Sequence, residues 1–422
     1  MTTRKQAYDV YLSLPTTGVV HAGELIILEE NHSCRQVGFR YTKAYRSNPL
    51  SIALDPVALP LDGPREVEFT CNAGVPAFLD DYLPDDWGRK VLTRLSLVRD
   101  KERLNAKSVI DILHLLGGSR IGAISIVPAG DSPRYAFGYP LQRIADAEGA
   151  AQHVDSLGAA TPNIDHFSLL HLANHGSGVG GARPKALMYD DDGYYLAKFN
   201  KISEVDAGHN IARIELACLD MARAAGINCG TGRVKEGING REVLLLNRFD
   251  ICTETEARHH LITVNGLLKS TETSADIGTT FRYDDICDLL RRHSTNIEDD
   301  LRQLVLVMLF NRAINNTDDH ERNFSLINRG SGYVLSPAYD MVPSLVRGQY
   351  HAASFQYQPF PPSPGEAMSL KGIFGLNKSE VADCAEAVID AVSSWEHFSA
   401  DASVSSRECA QISKLLSTTR KN

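Results

Sequence analysis

Leu301 to Ile314 is a long, mostly apolar run, and a polar stretch follows it almost at once: Thr317, Asp318, Asp319, His320, Glu321, Arg322, Asn323, Phe324 and Ser325. A helix so apolar is expected at the centre of a helical lobe. The fold must therefore deliver the charged loop to one fixed place on that lobe. Four residues separate Asp318 from Asn323, and Asp340 follows after a short strand-like stretch. One carboxylate to accept or orient a hydroxyl proton, with hard oxygen ligands for magnesium, is the set that phosphoryl transfer needs. The plain alternative is a polar turn capped by Asp or Asn. The coincidence of buried helix, Asp-x4-Asn, strand and Asp340 favours chemistry.

Composition sets outer bounds. The 422 residues suffice for two or three domains. A net charge of −9 argues against broad nonspecific nucleic-acid binding. No apolar run reaches membrane-span length, and the N-terminus lacks the apolar core of a signal peptide. Cys34, Cys71, Cys218, Cys229, Cys252, Cys287, Cys384 and Cys409 are scattered without a Cys-x-x-Cys pair. Free thiols and a cytoplasmic location are expected, with no membrane partner.

Residues 7–70 alternate short apolar segments with turn residues, which predicts a small β-rich unit. Residues 78–97 read as a helix with Pro84 near the start of its Asp85–Trp87 stretch, 107–117 as a second, and Ile124 to Ile126 as a strand. Residues 128–165, rich in Ala, Gly, Pro and Asp, read as the region of a linker. Tyr195 to Phe199 is a strand candidate. Ile211, Ile214, Cys218, Met221, Ala222 and Ala225 recur at helical spacing before Gly226, a natural stop. Val243 to Leu246 reads as a buried strand. Helices dominate from residue 284 and again over 377–416.

The fold class expected is α+β: a small β-rich N-terminal subdomain (1–140), then a kinase-like bilobal core. The core has a mixed β/α nucleotide lobe (141–255) and an all-helical C-terminal lobe (256–422). Asp318 and Asn323 have the spacing of catalytic Asp and metal-binding Asn in protein-kinase catalytic loops. The His-Arg-Asp and Asp-Phe-Gly strings are absent, which argues against an ordinary protein kinase.

The other constellations fit around that loop. Ser177, Gly178, Val179, Gly180, Gly181 and Ala182 form a glycine-rich loop whose backbone N–H groups can approach an anion; it is not a Walker A sequence. Lys198, in an apolar strand, is a candidate for nucleotide phosphates, with Lys201 a nearby competitor. Glu215, on the following helix, either pairs with Lys198 or is an exposed helix residue. Asn247 to Asp250 lie where a kinase chain crosses between lobes, so Asn247 and Phe249 are base-side candidates; the plain reading is a strand end. Asp318 is the candidate base, and Asn323 and Asp340 the candidate magnesium ligands. His320 is read as bracing the loop on the nucleotide side. No His/Cys set has zinc spacing, and no Gly-x-Ser-x-Gly elbow is present.

Together these segments resemble the HipA-like toxin kinases of bacterial toxin–antitoxin systems, over roughly 8–345. Leu79 to Gly88 looks like the family's Leu-Pro-x-Gly-type segment, and Gly117 to Ala123 like its Arg-Met/Ile-Gly-Ala turn. Gly181 to Lys185 is similar to its Gly-x-Gln-x-Lys loop, and Lys198 falls at its nucleotide-phosphate lysine. Asn247 to Asp250 is similar to its Glu-Arg-Phe-Asp hinge, Asp318 to Ser325 to its catalytic loop, and Tyr339-Asp340 to its second magnesium site. The resemblance implies ATP- and Mg2+-dependent transfer to a Ser or Thr of a protein, an aminoacyl-tRNA synthetase in known branches. It also implies a HipB-like helix-turn-helix antitoxin, through which the complex binds DNA.

This chain departs from the pattern. Gly178 and Gly180 stand where family members carry serines whose phosphorylation switches the kinase off. Either self-inactivation is lost or another residue, such as Ser177, serves; mass spectrometry after incubation with MgATP decides. Asp319 replaces the family's glycine, and Arg183 its glutamine. Two other readings remain open on sequence: a metal-dependent nuclease or phosphodiesterase using Asp318, Asp319, His320 and Asp340, and a catalytically impaired corepressor subunit of an antitoxin–DNA complex.

Overall fold

Alternation at the N-terminus becomes a five-stranded antiparallel sheet of order β4-β3-β2-β1-β5, with β1 Thr3–Leu14, β2 Gly18–Glu30, β3 Ser33–Tyr41, β4 Glu66–Thr70 and β5 Ile124–Pro128. Tyr8, Val10, Leu12 and Leu14 are buried, the period of two that a half-buried strand requires. The computed structural model describes residues 2–99, 101, 104–155, 183–206, 208–273, 281–345 and 350–419. Ser177, Gly178, Val179, Gly180, Gly181 and Ala182 lie outside the described residues.

Where one helix is expected over 78–97 there are two, Ala77–Tyr82 and Asp86–Arg99. Leu83 between them is extended (φ −72°, ψ 152°), because Pro84 disfavours the α region for the residue before it. The described part of this range, residues 128–155, is more structured than a linker. Tyr139–Pro140 (β6) joins the second sheet and Ile144–Asp155 is a helix. That helix buries Ala147, Ala150 and Ala151, so its packing face is built of small residues, which gives a weak hydrophobic signal.

The second sheet has the order β6-β7-β8-β10-β9, with β7 Lys185–Asp190, β8 Gly193–Phe199, β9 Gly232–Glu236 and β10 Glu242–Asn247. β6 runs parallel to β7 and the other pairs are antiparallel. Helix Ile211–Ala224 covers one face; Asn210 caps its start and Gly226, at φ +82°, lies just past its end. β10 is buried on both faces and serves two cores. Val243 and Leu245 pack with the N-terminal sheet and its helices, whereas Leu244 and Leu246 pack with helix Ile211–Ala224 and the C-terminal lobe.

The C-terminal lobe is organised on helix Ile297–Ala313, buried along most of its length, with helices Tyr283–His293 and Lys378–Ser393 against it. The lobe is not all-helical. β11 (His260–Thr263), β12 (Ser325–Asn328) and β13 (Tyr333–Leu335) form a three-stranded sheet, and Gly372–Ile373 pairs with Leu376–Asn377. These strands are two to four residues long, too short for periodicity to declare them. None of the eight cysteines is in a disulfide, and among the described residues no helix is long and apolar enough to cross a membrane.

Candidate active site

Alternation along β8 decides where Lys198 goes. Ala197 and Phe199 join the N-terminal core, so Leu196 and Lys198 face the other way, toward helix Ile211–Ala224. Lys198 Nζ lies 2.6 Å from Glu215 Oε1 and 2.9 Å from Asp340 Oδ1. Glu215 is only 1% exposed, so of its two sequence readings the structure shows the pair. Burial pushes the Lys198 ammonium down, but Asp340 and Glu215 outweigh it and the net shift is upward. Burial also raises the Glu215 carboxyl, against the pull of Lys198. Asp340 is shifted the other way: burial opposes, and Lys198 prevails to hold it below the usual carboxylate range.

A cleft opens beside this triad. Leu196, Leu219, Leu246, Phe249, Tyr339 and Ile121 supply apolar walls, and Lys198, Asp340 and Asn247 line it too. Phe249 and Tyr339 stack at 6.2 Å between ring centroids. Residues 248–250 do more than end a strand. Arg248 is ion-paired with Asp250 at 2.6 Å, donates to the Arg120 carbonyl at 2.9 Å, and Asp250 accepts from the Gly122 amide at 2.7 Å. The turn carrying Ile121 is thus fastened to the crossing between lobes. Sequence reasoning gave Ile121 no role, although it lies in the quoted 117–123 segment.

Helix Ile297–Ala313 ends one turn before the charged loop. Asp318 projects outward, with 81% of its side chain exposed. Desolvation by the surrounding loop, with Asp340 and Asp319, pushes its carboxyl up, and His320 opposes them. His320 caps a single 3-10 turn, Glu321–Asn323, by accepting from the Arg322 amide at 3.2 Å. Asn323 donates its amide to the Asp318 carbonyl at 2.7 Å. That fixes the orientation of its Oδ1, which is buried and has no hydrogen-bond partner. An orphaned buried carbonyl oxygen on this loop suits a hard cation, and Asp340 supplies a carboxylate held below its usual range. Mg2+ takes one or two protein oxygens and completes its shell with phosphate and water, so Asn323 and Asp340 fit the ion.

Asp319 goes inward and is fully buried. Tyr283 Oη and His351 Nδ1 donate to its Oδ2 at 2.7 and 3.0 Å, and the Ala353 amide to its Oδ1 at 3.1 Å. Asn311 donates to Tyr283, Asn316 to Asn311, and Asn316 also to the Asp340 carbonyl. A buried polar chain therefore runs from the loop to the metal-side aspartate. The nuclease reading needs Asp319 at a metal with Asp318, His320 and Asp340. The structure turns Asp319 away from them, and among the described residues no three His, Cys, Asp or Glu side chains are grouped to hold an ion.

Comparison with known proteins gives two family-model matches: the HipA-like C-terminal domain over residues 177–396 and the HipA N-terminal domain over 17–127. The chain belongs to the HipA-like family. Its relatives include Y4mE of Sinorhizobium fredii, whose name carries a provisional kinase assignment; identity is 25% over 327 residues, 73% of this chain and 72% of that protein. Toxin YjjJ of Escherichia coli is 23% identical over 287 residues, 64% of this chain and 60% of that protein. Among solved structures, the HipA of Shewanella oneidensis, determined with HipB and operator DNA, superposes with a TM-score of 0.67 at 18% identity, covering 98% of this chain and 96% of that one. The HipA fold thus extends over nearly the whole chain, including its helical end beyond residue 345.

Proposed function

We propose that this HipA-like protein is an ATP- and magnesium-dependent serine/threonine protein kinase of a toxin–antitoxin system. The observation that carries the reading is the Lys198–Glu215–Asp340 triad, with Lys198 and Asp340 lining an apolar cleft, and a buried, unpartnered Asn323 Oδ1 on the loop after helix Ile297–Ala313. Lys198, held by Glu215, is placed to neutralise nucleotide phosphates. Asn247 and Phe249 are placed on the base side, and Asn323 and Asp340 would hold Mg2+, which offsets the charge that builds on the transferred phosphoryl group. Asp318 orients the acceptor hydroxyl and takes its proton; its exposure leaves room for a protein chain to approach. In the glycine loop, Gly178, Val179, Gly180, Gly181 and Ala182 would cover the phosphates.

Beyond the cleft, the family points to a growth-restraining kinase that phosphorylates a translation-related protein, an aminoacyl-tRNA synthetase being the model. The Shewanella HipA assembly supports a HipB-like antitoxin as partner, with DNA reached through it. Free thiols fit the cytoplasm.

The test is transfer from γ-labelled ATP to proteins of a native-host lysate, comparing wild type with Asp318→Asn. Label that depends on Asp318 is expected. If no protein is labelled and the two behave alike, the kinase reading fails, and nucleotide binding with and without Mg2+ then decides for a corepressor subunit.

A further inference from the structure

We infer that residues 80–85 of the N-terminal unit set the position of both cleft walls, with Asp80 a positioning residue for the catalytic loop and Asp85 one for β7. The geometry stands by itself; only the turnover measurement below rests on the kinase reading.

On the loop side, Asp80 Oδ2 accepts from Arg322 Nη2 at 3.0 Å and from Asn265 Nδ2 at 3.2 Å. Arg322 belongs to the turn between Asp318 and Asn323, and its carbonyl accepts from Tyr339, the neighbour of Asp340, at 3.0 Å. Asp81 accepts from both the amide and the hydroxyl of Thr263 at 2.6 Å. Thr263 in turn pairs with Ser325 at the start of the strand that leaves the loop. On the nucleotide side, Asp85 Oδ2 lies 2.7 Å from Lys185 Nζ, with both side chains nearly buried.

The spacing between these two anchor points is stiff. Leu83 is buried and extended, and Pro84 has a fixed φ. Helix Ala77–Tyr82 also sits so close to helix Val264–Leu268 that a Cβ on Gly266 would lie 2.9 Å from the Ala77 Cβ. Ala77 is packed into the C-terminal lobe's core, not the N-terminal one. A short acidic segment therefore bridges the lobes on one side of the cleft and touches the loop through a partly buried ion pair. Such a pair is worth more than a solvated one because its charges are less screened.

The experiment uses the full chain with Asp80→Asn, Arg322→Gln, the two combined, and the charge swap Asp80→Arg with Arg322→Asp. Amide hydrogen exchange over 318–325, MgATP affinity and ATP turnover are measured. Each single change is expected to speed exchange over 318–325 several-fold and to lower turnover about tenfold, with MgATP affinity within about threefold, the pattern of a lost transition-state interaction. The combined variant should be no worse than the poorer single one, and the swap should recover part of the loss, as coupled residues do. Unchanged exchange over 318–325 in a folded Asp80→Asn protein overturns the inference, as does equal loss in the swap and the single variants. A wild-type protein that neither binds nor turns over MgATP overturns the kinase reading, while exchange still decides this one.

Discussion

Lys185 and Lys198 are direct cross-strand partners in the β7–β8 register, so two ammonium groups occupy neighbouring sites on one face of the sheet. Like charges placed so are destabilising. Here each is met by a carboxylate from elsewhere, Asp85 for Lys185, and Glu215 with Asp340 for Lys198. Lys198→Met leaves Glu215 buried without its cation. A stability loss of about 3–5 kcal/mol is expected from breaking one side of such a pair, together with loss of MgATP binding. Urea denaturation measures it, and Lys198→Met with Glu215→Gln should lose less than the two single changes added together.

Asp318 offers the opposite case. Its side chain is 81% exposed, so Asp318→Asn should change stability by no more than about 0.5 kcal/mol. Phosphate transfer should fall by about 10²–10⁴, the worth of a positioned general base. A melting curve beside a transfer assay checks both halves; a large drop in melting temperature contradicts the assignment.

Asp319 should behave as a structural anchor. Asp319→Gly, which installs the residue the family resemblance leads one to expect, strands the Tyr283 hydroxyl, His351 Nδ1 and the Ala353 amide in a dry interior. The cost expected is about 3 kcal/mol, as when a buried charge is removed from its donors. Denaturation measures it, and increased exchange over 350–353 should accompany it.

Asp81 gives a pH signature. Burial raises its carboxyl to about 7, against the hydrogen bonds from Thr263. The folded protein therefore holds a proton that the unfolded chain releases near the ordinary carboxylate value. The stability this contributes is complete below about pH 4 and is lost as pH rises to about 7. Asp81→Asn should remove that slope, so the stability difference between variant and wild type should shift in the variant's favour over this interval and be flat above it. Denaturation at pH 4 to 8 tests the sign.

What could be read from the sequence follows signal length. The apolar run ending at Ile314, the period of two in β1 and the stop at Gly226 are long or sharp features, and the structure has each. The Lys198–Glu215 pair was legible because a strand residue and a helix residue had a spacing with a chemical meaning. β11 to β13 were not, being three or four residues each, and β11 pairs with β12 across more than 60 positions, as His260 does with Asn328. Asp80 and Asp85 were quoted only as part of a motif. Their work depends on Arg322 and Lys185, 242 positions away in the first case, and no local pattern announces such a pairing.

β10 presents Val243 and Leu245 to one core and Leu244 and Leu246 to the other. A fragment cut to begin at β7 would keep the Lys198–Glu215–Asp340 triad and yet turn Ala186, Met188, Tyr195 and Phe199 out to water. That naked sheet face would be sticky, so the shortened protein should precipitate or recruit chaperones. This half of the chain could stand alone only with a new cover over the back of its sheet.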